Sequence, residues 1–517
     1  MNYHTKFPAL IDLKKHAKRR IPHFVWEYLD SGTGNETTRN RNRAELQKIL
    51  FHPSILHGDI KPKLNIELLG KKFSLPFGIA PVGMSGLIWP NAEIILAKAA
   101  SNFNIPYTLS TVATQTPEDI ASHIDGNAWF QLYPPNDSKI LDDILSRVQN
   151  SGFSTLVLTV DVPDASRREK QIRGGLSHPP KLTGRLGFQA LKRPIWLSGI
   201  LRTGIPKMKL MQTYSTIKGR LSSTEHIGYL LRTSPDINYL RTLRKKWNGN
   251  LIVKGIMRGK DAKILEAEGI DAVWVSNHAG RQFDGTYASI EVLPEIKNST
   301  NLPIIFDSGI EGGLDIIRAL SLGADFVMLG SAWHYALGAL GHRGPSHLID
   351  ILSKDLNANM AQLGIEELKN INGIGDGKAL KFGSTLVKVI EKYVIDNDIE
   401  RPDDIIVKTT GSNSSLKLFI IQSIDRKLQP IDIADSRGIE LSELISELQT
   451  IVFSGTRLNI NYMIDEIFDE DQQEELYDYF IGSNSDDLDL AVQDFDGEYE
   501  LIDLKLYRIK FINDISN

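Results

Sequence analysis

Short apolar runs recur along the first two thirds of the chain, and each is followed by a polar or glycine-containing turn and then a helical stretch. Such near-continuous apolar runs are typical of strands buried on both faces of a parallel sheet. Eight are present, at residues 75–80, 106–110, 128–133, 154–160, 250–255, 271–276, 303–308 and 325–330. They predict an α/β fold, a (β/α)8 TIM barrel preceded by a helical region that ends near Tyr28.

Polar residues stand at the carboxyl ends of these runs. Active sites of such barrels lie at that end, so one pocket could collect all of them. One or two polar ends could be explained as helix caps, but nine on eight strands indicate a functional site. These residues are Ser110, Gln131, Tyr133, Thr159, Asp161, Lys254, Ser276, His278 and Asp307.

The stretch DAVWVSNHAGRQFDG (271–285) carries the clearest chemistry. His278 and Arg281 leave the end of a predicted strand together, through a turn of small residues. An imidazole can act as a general base, and a guanidinium fork can hold a carboxylate or a phosphate. A lone histidine is more often a structural residue, but these neighbours favour a catalytic role.

Four stretches together resemble the FMN-dependent α-hydroxy acid dehydrogenase and oxidase family: FQLY (130–133), TVDVP (159–163), SNHAGRQFDG (276–285) and DSGIEGGLDIIRALSLGADFVMLG (307–330). The resemblance covers a domain of residues 1–364. It implies oxidation of a lactate-like L-2-hydroxy acid to the 2-oxo acid, with FMN as cofactor and a quinone or another electron acceptor. An oxygen-using oxidase is an alternative. A flavin-poor scaffold with a nucleic-acid or protein interaction role is another.

The resemblance also implies individual roles. His278 would be the base, and Asp161 would hydrogen-bond its imidazole. Arg281 and Arg168 would hold the substrate carboxylate with help from Tyr28, Tyr133 would contact the substrate hydroxyl, and Lys254 would stabilise negative charge on the reduced flavin. The FMN site would comprise Ala80, Pro81, Val82, Ser110, Gln131, Thr159, Lys254, Ser276, Asp307, Gly309 and Gly330. No metal is expected.

Two positions depart from the family pattern at the FMN phosphate. Glu311 and Ser331 stand where relatives usually have arginine. Backbone N–H groups of glycines 309, 312, 313 and 330 could still bind a phosphate. A nearby carboxylate would repel it, so we expect weak FMN retention unless another cation compensates, such as Lys254 or an arginine between the fourth and fifth strands.

Composition narrows the class of protein. The chain of 517 residues contains no cysteine, which excludes disulfides, thiolate metal sites and cysteine nucleophiles. The basic N-terminus lacks the apolar core of a signal peptide. The uncharged run 73–92 contains three prolines, so a strand with its loop explains it better than a membrane helix. We expect a cytoplasmic homo-oligomer.

The segment between the fourth and fifth strands is strongly basic. Residues 170–224 contain eleven lysines and arginines and no acidic residue. Its apolar residues include Phe188, Trp196, Leu197, Ile200 and Leu201. Two interpretations are equally favoured: a lid with a solvated basic face, or a patch at 180–215 that docks on anionic lipid at the inner face of the cell membrane.

The pattern changes after Gly364. Residues 365–410 resemble part of an HRDC domain, and 411–517 resemble the helix-turn-helix region of RecQ-type helicases. Residues 430–517 carry 22 acidic and 5 basic side chains. Because phosphate backbones repel such a surface, nucleic-acid binding is not favoured there, although it is left open. An interaction or structural role is expected for this all-α appendage.

Overall fold

The computed structural model describes residues 3–164, 166–176, 183–214, 234–371, 414–453, 456, 458–483 and 488–515. The chain divides into two compact units, Met1–Asn397 and Asp398–Asn517. Most of the segment predicted to resemble an HRDC domain lies outside the described residues.

The first unit is a closed barrel of eight parallel strands, which confirms the predicted fold class. The strands follow chain order around the barrel, and the last pairs with the first. Each of them lies within one of the predicted apolar runs, except that β7 extends one residue beyond its run, and their central residues are buried on both faces. They are β3 (Phe77–Ile79), β4 (Tyr107–Ser110), β5 (Ala128–Leu132), β6 (Thr155–Thr159), β7 (Asn250–Ile256), β8 (Ala272–Val275), β9 (Ile304–Phe306) and β10 (Phe326–Leu329).

A short antiparallel hairpin precedes the barrel and was not predicted. Its strands are β1 (Ile66–Leu68) and β2 (Lys71–Phe73). Leu68 and Phe73 join the interior cluster of the barrel, which includes Trp129 and Trp274. The hairpin therefore contributes to the apolar packing inside the strands.

Helices alternate with the strands and cover the barrel. Four precede it: Tyr3–Lys6, Leu10–Arg20, His23–Leu29 and Thr37–Gln47. The helical region predicted to end near Tyr28 is thus present. Those that follow are Ser85–Ile88, Ala92–Asn102, Pro117–Ala121, Ser138–Asn150, Glu169–Gly174, Ile237–Lys246, Gly259–Ala267, Ser289–Ser299, Gly313–Ser321, Ser331–Leu340 and Gly344–Gln362. Short 3-10 turns occupy His278–Gly280, Gly341–Arg343 and Leu368–Asn370.

The helix Leu10–Arg20 packs closely on the helix that follows the last barrel strand. A Cβ atom on Gly338 would lie 3.0 Å from the Cβ of Ala17. Small residues at this crossing allow the two backbones to approach each other. On the same helix, Lys14 lies 3.9 Å from Glu311, which follows β9, and 5.1 Å from the ring centroid of Tyr335, which follows β10.

Between β6 and β7 the described residues contain three further helices, Gly184–Leu191, Pro194–Thr203 and Lys209–Gln212. We call residues 183–214 the basic insert. No helix among the described residues has the length and apolar character needed to cross a bilayer.

The second unit is helical, as predicted, and has an apolar core of its own. Leu444, Leu448 and Ile451 of one helix are buried with Leu504 and Tyr507 of the last one. Its helices are Ser414–Asp425, Pro430–Asp435, Leu441–Phe453, Asn461–Ile467, Glu470–Gly482, Leu488–Asp494 and Leu501–Ile515.

Candidate active site

His278 and Asp161 meet at the carboxyl end of the barrel. The Nδ1 atom of His278 lies 3.2 Å from both carboxylate oxygens of Asp161. Asp161 follows β6 and His278 follows β8, so the closed sheet brings together residues 117 positions apart. Because Nδ1 faces the carboxylate, Nε2 is the nitrogen left to exchange a proton with a ligand.

Hydrogen bonds hold His278 in an unusual backbone conformation. Its φ is 55°, in the left-handed region that side chains other than glycine seldom adopt. Its N–H donates to the Oγ of Ser276 at 3.1 Å. The preceding Asn277 exchanges two side-chain hydrogen bonds with Asn42, at 2.7 and 2.8 Å, and both residues are buried. Helix Thr37–Gln47 thus fixes the loop that presents His278.

A bulge in β7 makes room for Asp161. The pairing of β7 with β8 shifts register between Lys254 and Ile256. Gly255, within the bulge, has φ of +106°, and a Cβ there would lie only 2.5 Å from the Cβ of Asp161. Only glycine combines this backbone conformation with this approach. The bulge was not predicted, although the glycine inside the apolar run 250–255 was a sequence signal for it.

Lys254 is buried among polar partners. Its Nζ donates to the Oγ of Ser276 at 2.7 Å and lies 3.2 Å from Oδ2 of Asp307. Asp307 also accepts from the indole N–H of Trp274 at 3.0 Å and from the hydroxyl of Ser308 at 2.7 Å. These contacts fix the buried ammonium beside the pocket.

Arg281 joins the pocket to the N-terminal helices. Its guanidinium donates to the carbonyls of Tyr28 at 2.9 Å and Ser31 at 2.6 Å, where helix His23–Leu29 ends. The Tyr28 hydroxyl donates to the carbonyl of Gly83 at 2.8 Å. Arg168, whose φ is 45°, donates from Nε to Ser166 at 3.0 Å.

The side chains of this pocket influence the pKa values of one another. Burial lowers the pKa of Arg281 to about 10, and the charge of Arg168 contributes. Burial, with the charge of Asp161, raises the pKa of Tyr133 above its usual range. The pKa of Tyr28 is likewise raised, mainly by burial. Both phenols therefore remain protonated donors at neutral pH, and Arg281 remains charged.

His278 and Asp161 differ in charge at neutral pH. Burial lowers the pKa of His278 below 6.5, although Asp161 opposes the change. Burial alone would raise the pKa of Asp161, but His278 and Lys254 hold it below its usual value. At neutral pH the imidazole is therefore unprotonated and able to accept a proton, while the carboxylate stabilises the imidazolium that would result.

Neighbouring strands present buried polar atoms that have no hydrogen-bond partner among the described residues. The Ser110 hydroxyl donates to Oε1 of Gln131 at 2.9 Å, which leaves Nε2 of that amide without one among the described residues. The buried Oγ1 of Thr159 also has none there. Buried groups without partners are costly, so these atoms suit a bound polar ring system. Ala80, Pro81 and Val82 form the loop after β3, and a Cβ on Gly330 would lie 3.6 Å from Val82.

The loop after β9 differs from the expectation in one respect. The N–H of Gly313 donates to Oδ2 of Asp355 at 2.5 Å, so it is not available to a phosphate as predicted. The N–H of Glu311 donates to Asp315 at 2.9 Å. The side chain of Glu311 lies 3.4 Å from Nε of Arg43. Among the described residues, the N–H groups of Gly309 and Gly330 have no partner.

The basic insert presents a different apolar face from the one expected. Trp196 and Ile200 are buried in the barrel unit, and the Trp196 indole donates to the carbonyl of Leu87 at 3.0 Å. Under the membrane-docking interpretation these two residues were among those expected to reach the lipid, but they pack inward instead. The exposed apolar residues of the insert are Phe188, Leu191, Ile195, Leu201 and Ile205.

Comparison with known proteins identifies relatives over the barrel unit. The sequence model of the family described as FMN-dependent dehydrogenase matches residues 17–374. An L-lactate dehydrogenase of Haemophilus influenzae (strain PittEE) is 38% identical over 355 residues, 68% of this chain and 92% of the relative. One from Pectobacterium atrosepticum is 36% identical over 369 residues, 70% of this chain and 95% of the relative.

Solved structures also match the barrel unit. The crystal structure of the monotopic membrane protein (S)-mandelate dehydrogenase superposes with a TM-score of 0.66 at 33% identity, covering 70% of this chain and 97% of that one. A mandelate oxidase gives a TM-score of 0.59 at 27% identity, with 71% and 97% covered. In the second unit, the model of a RecQ-1-like helix-turn-helix domain matches residues 414–464.

Proposed function

The chain belongs to the FMN-dependent dehydrogenase family, and from this premise we propose that its barrel oxidises a lactate-like (S)-2-hydroxy acid to the 2-oxo acid. One observation carries the proposal. The uncharged imidazole of His278, paired with Asp161, lies in the same pocket as Arg168 and Arg281. Among the described residues, neither arginine forms an ion pair with a carboxylate. A small acid with an oxidisable hydroxyl matches both features.

FMN fits the residues that the strand ends provide. The unpartnered amide of Gln131 and hydroxyl of Thr159 suit the polar edge of the isoalloxazine ring, and Lys254 supplies a cation for negative charge on its reduced form. Ser110 orients Gln131. When bound, the flavin accepts the two electrons removed from the substrate.

Substrate binding would rest on charge. Arg168 and Arg281 repel each other across the pocket, and a carboxylate between them would relieve this repulsion. Arg281 is already oriented by the carbonyls of Tyr28 and Ser31, so little side-chain entropy would be lost on binding. Tyr133, which stays protonated, would donate to the substrate oxygen.

His278 would then accept a proton from the bound hydroxy acid at Nε2. Asp161 stabilises the positive charge that the ring acquires, because its carboxylate faces Nδ1 at 3.2 Å. The side chains of His278 and Asp161 are only 20% and 13% exposed, and Lys254, Ser276 and Thr159 nearby are buried. Partial shielding from water strengthens the electrostatic interaction between the carboxylate and the imidazolium.

The test is anaerobic bleaching of the flavin spectrum by a panel of 2-hydroxy acids. His278→Ala should retain FMN yet slow flavin reduction at least about 100-fold, the usual contribution of a general base. The exposed His52 provides a control, and His52→Ala should behave as wild type. Rapid reduction of the His278→Ala protein by substrate would disprove the assignment.

For the electron acceptor we propose a membrane quinone, reached by peripheral binding of the basic insert. Support comes from the exposed apolar residues Phe188 and Leu201, which lie among basic side chains and face solvent. Amphipathic basic surfaces of this kind bind anionic lipid interfaces. The relative with the TM-score of 0.66 is described as a monotopic membrane protein.

Sedimentation with vesicles tests whether the basic insert binds a membrane surface. Anionic vesicles should retain the protein at low salt and release it at high salt, whereas neutral vesicles should not. Leu201→Glu should weaken retention, and Leu56→Glu, at a fully exposed site on a loop outside the insert, should not. Rapid oxygen consumption by the purified enzyme would instead favour the oxidase alternative.

A further inference from the structure

The loops after β9 and β10 are the seventh and eighth strand ends of the barrel. Barrels of this type frequently bind a phosphate group there. In this chain those positions carry Glu311 and Ser331, and neither offers a positive charge. The helix that starts at Gly313 does not offer its first N–H groups either, because Gly313 and Leu314 donate to Asp355.

Two cations reach this position from the N-terminal helices instead. Arg43 of helix Thr37–Gln47 lies with Nε 3.4 Å from Oε2 of Glu311, and its Nη1 donates to the Gly309 carbonyl at 3.4 Å. Lys14 of helix Leu10–Arg20 lies with Nζ 3.9 Å from the other oxygen of Glu311 and 5.1 Å from the ring centroid of Tyr335. Tyr335 belongs to the helix after β10, so Lys14 touches elements that follow both strands.

We propose that Arg43 and Lys14 supply the positive charge for the FMN phosphate, and that Glu311 is a displaceable counterion holding both in place until the phosphate binds. The inference rests on the proposed function, because it assumes that FMN is the ligand. A phosphate carries more negative charge than a carboxylate and three strong acceptor oxygens, so it competes effectively for the two cations.

Glu311 can move away at low cost. Its side chain is 41% exposed, whereas most side chains of the pocket are buried. Ion pairs at such exposed positions contribute little to stability. The displaced carboxylate would be hydrated, and the phosphate would take its partners.

The other partners of the two cations remain satisfied when the cations turn to a phosphate. Arg43 also pairs with Asp315, which keeps Arg318 at 2.8 Å. Lys14 also lies 3.2 Å from Asp30, which keeps Arg39 and the Tyr335 hydroxyl as partners. No buried carboxylate is therefore left without a cation.

Comparing FMN with riboflavin isolates the phosphate contribution, because riboflavin has the same ring system and side chain without the phosphate. Flavin-free full-length protein is titrated with each ligand by fluorescence quenching, and the ratio of the two dissociation constants is measured. Arg43→Gln and Lys14→Gln should each weaken FMN binding about 10-fold or more and leave riboflavin binding nearly unchanged. Glu311→Gln should tighten FMN binding, since a competing negative charge is removed.

Matched controls lie on the same helices. Arg41, which pairs with Glu291, and Lys15, which is exposed, should tolerate replacement by glutamine without a change in the ratio. Because Arg43 also holds Asp315, Arg43→Lys is included as a milder variant. It keeps the charge and should retain most of the preference for FMN.

The outcomes are separable. If wild-type protein binds neither flavin, the proposed function and this inference both fail. If it binds FMN more tightly than riboflavin and neither Arg43→Gln nor Lys14→Gln changes that ratio, this inference alone is refuted, and backbone N–H groups hold the phosphate without them. A loss that is equal for both flavins would indicate a structural role for the two cations and would also refute it.

Discussion

Replacing Gly255 with alanine tests whether the bulge in β7 positions the base. The added Cβ would lie 2.5 Å from the Cβ of Asp161 and 2.7 Å from its Cγ, so either Asp161 or the strand must move. A φ of +106° would also strain the alanine backbone. Strain of this kind costs about 1–2 kcal/mol, and overpacking costs about 1–3 kcal/mol more. The combined loss of stability should be about 2–5 kcal/mol.

The effect on catalysis follows from the displaced carboxylate. A hydrogen bond to a charged group contributes about 1.5–3 kcal/mol. If Asp161 no longer supports His278, flavin reduction should slow roughly 10- to 150-fold. Stopped-flow reduction by a 2-hydroxy acid and thermal unfolding measure the two effects on the same preparations.

Gly269 provides a matched control for the backbone term. Its φ is +72°, and nothing lies within 4 Å of a Cβ built there. Gly269→Ala should therefore lose only the strain contribution and keep its rate of flavin reduction. If Gly255→Ala and Gly269→Ala prove equal in both stability and rate, the bulge does not position Asp161 and the reasoning is refuted.

Three further predictions concern the same pocket. Arg281→Lys keeps the charge but loses the planar fork that reaches the helix-end carbonyls, so both the rate of flavin reduction and the thermal stability should fall. An unchanged rate would show that Arg281 contributes only a general electrostatic effect. If uncharged His278 is the base, as proposed, kcat/KM should fall as pH drops through a pKa below 6.5. Asp161→Asn removes the charge that raises this pKa, so it should shift the acid limb to still lower pH with a lower plateau, and a limb above pH 6.5 would contradict this. Asn42→Ala, which leaves Asn277 without its reciprocal partner, should reduce kcat more than substrate affinity, and equal activity to wild type would show that the loop needs no such support.

Most of the barrel was predictable because its signal is local. Buried parallel strands require continuous apolar runs, and the chain contains eight of them separated by helical stretches. The polar residues at the run ends marked the active-site end before any pairing was known. The spacing of His278 and Arg281 within one loop also suggested a base beside an anion-binding group.

Other residues could be identified only from the folded chain. Asn42, Lys14 and Arg43 lie on N-terminal helices with ordinary charged or amide-rich sequences, and they reach the pocket because those helices pack over the carboxyl ends of the strands. Sequence alone also could not tell that Glu311 faces these two cations, since the sequence gives side-chain identity but not direction.

The basic insert illustrates the same division. Its composition determined that it is basic and amphipathic, but not which apolar residues pack inward. Trp196 is buried because it meets Phe24 edge-on, at 5.8 Å between ring centroids, and donates to the Leu87 carbonyl. The sequence thus determined the strands, their order and the polar residues at their carboxyl ends, because these depend on local pattern. The tertiary structure decided which distant side chains support the pocket, contribute charge to it and shield it from water, because such contacts exist only once the barrel has closed.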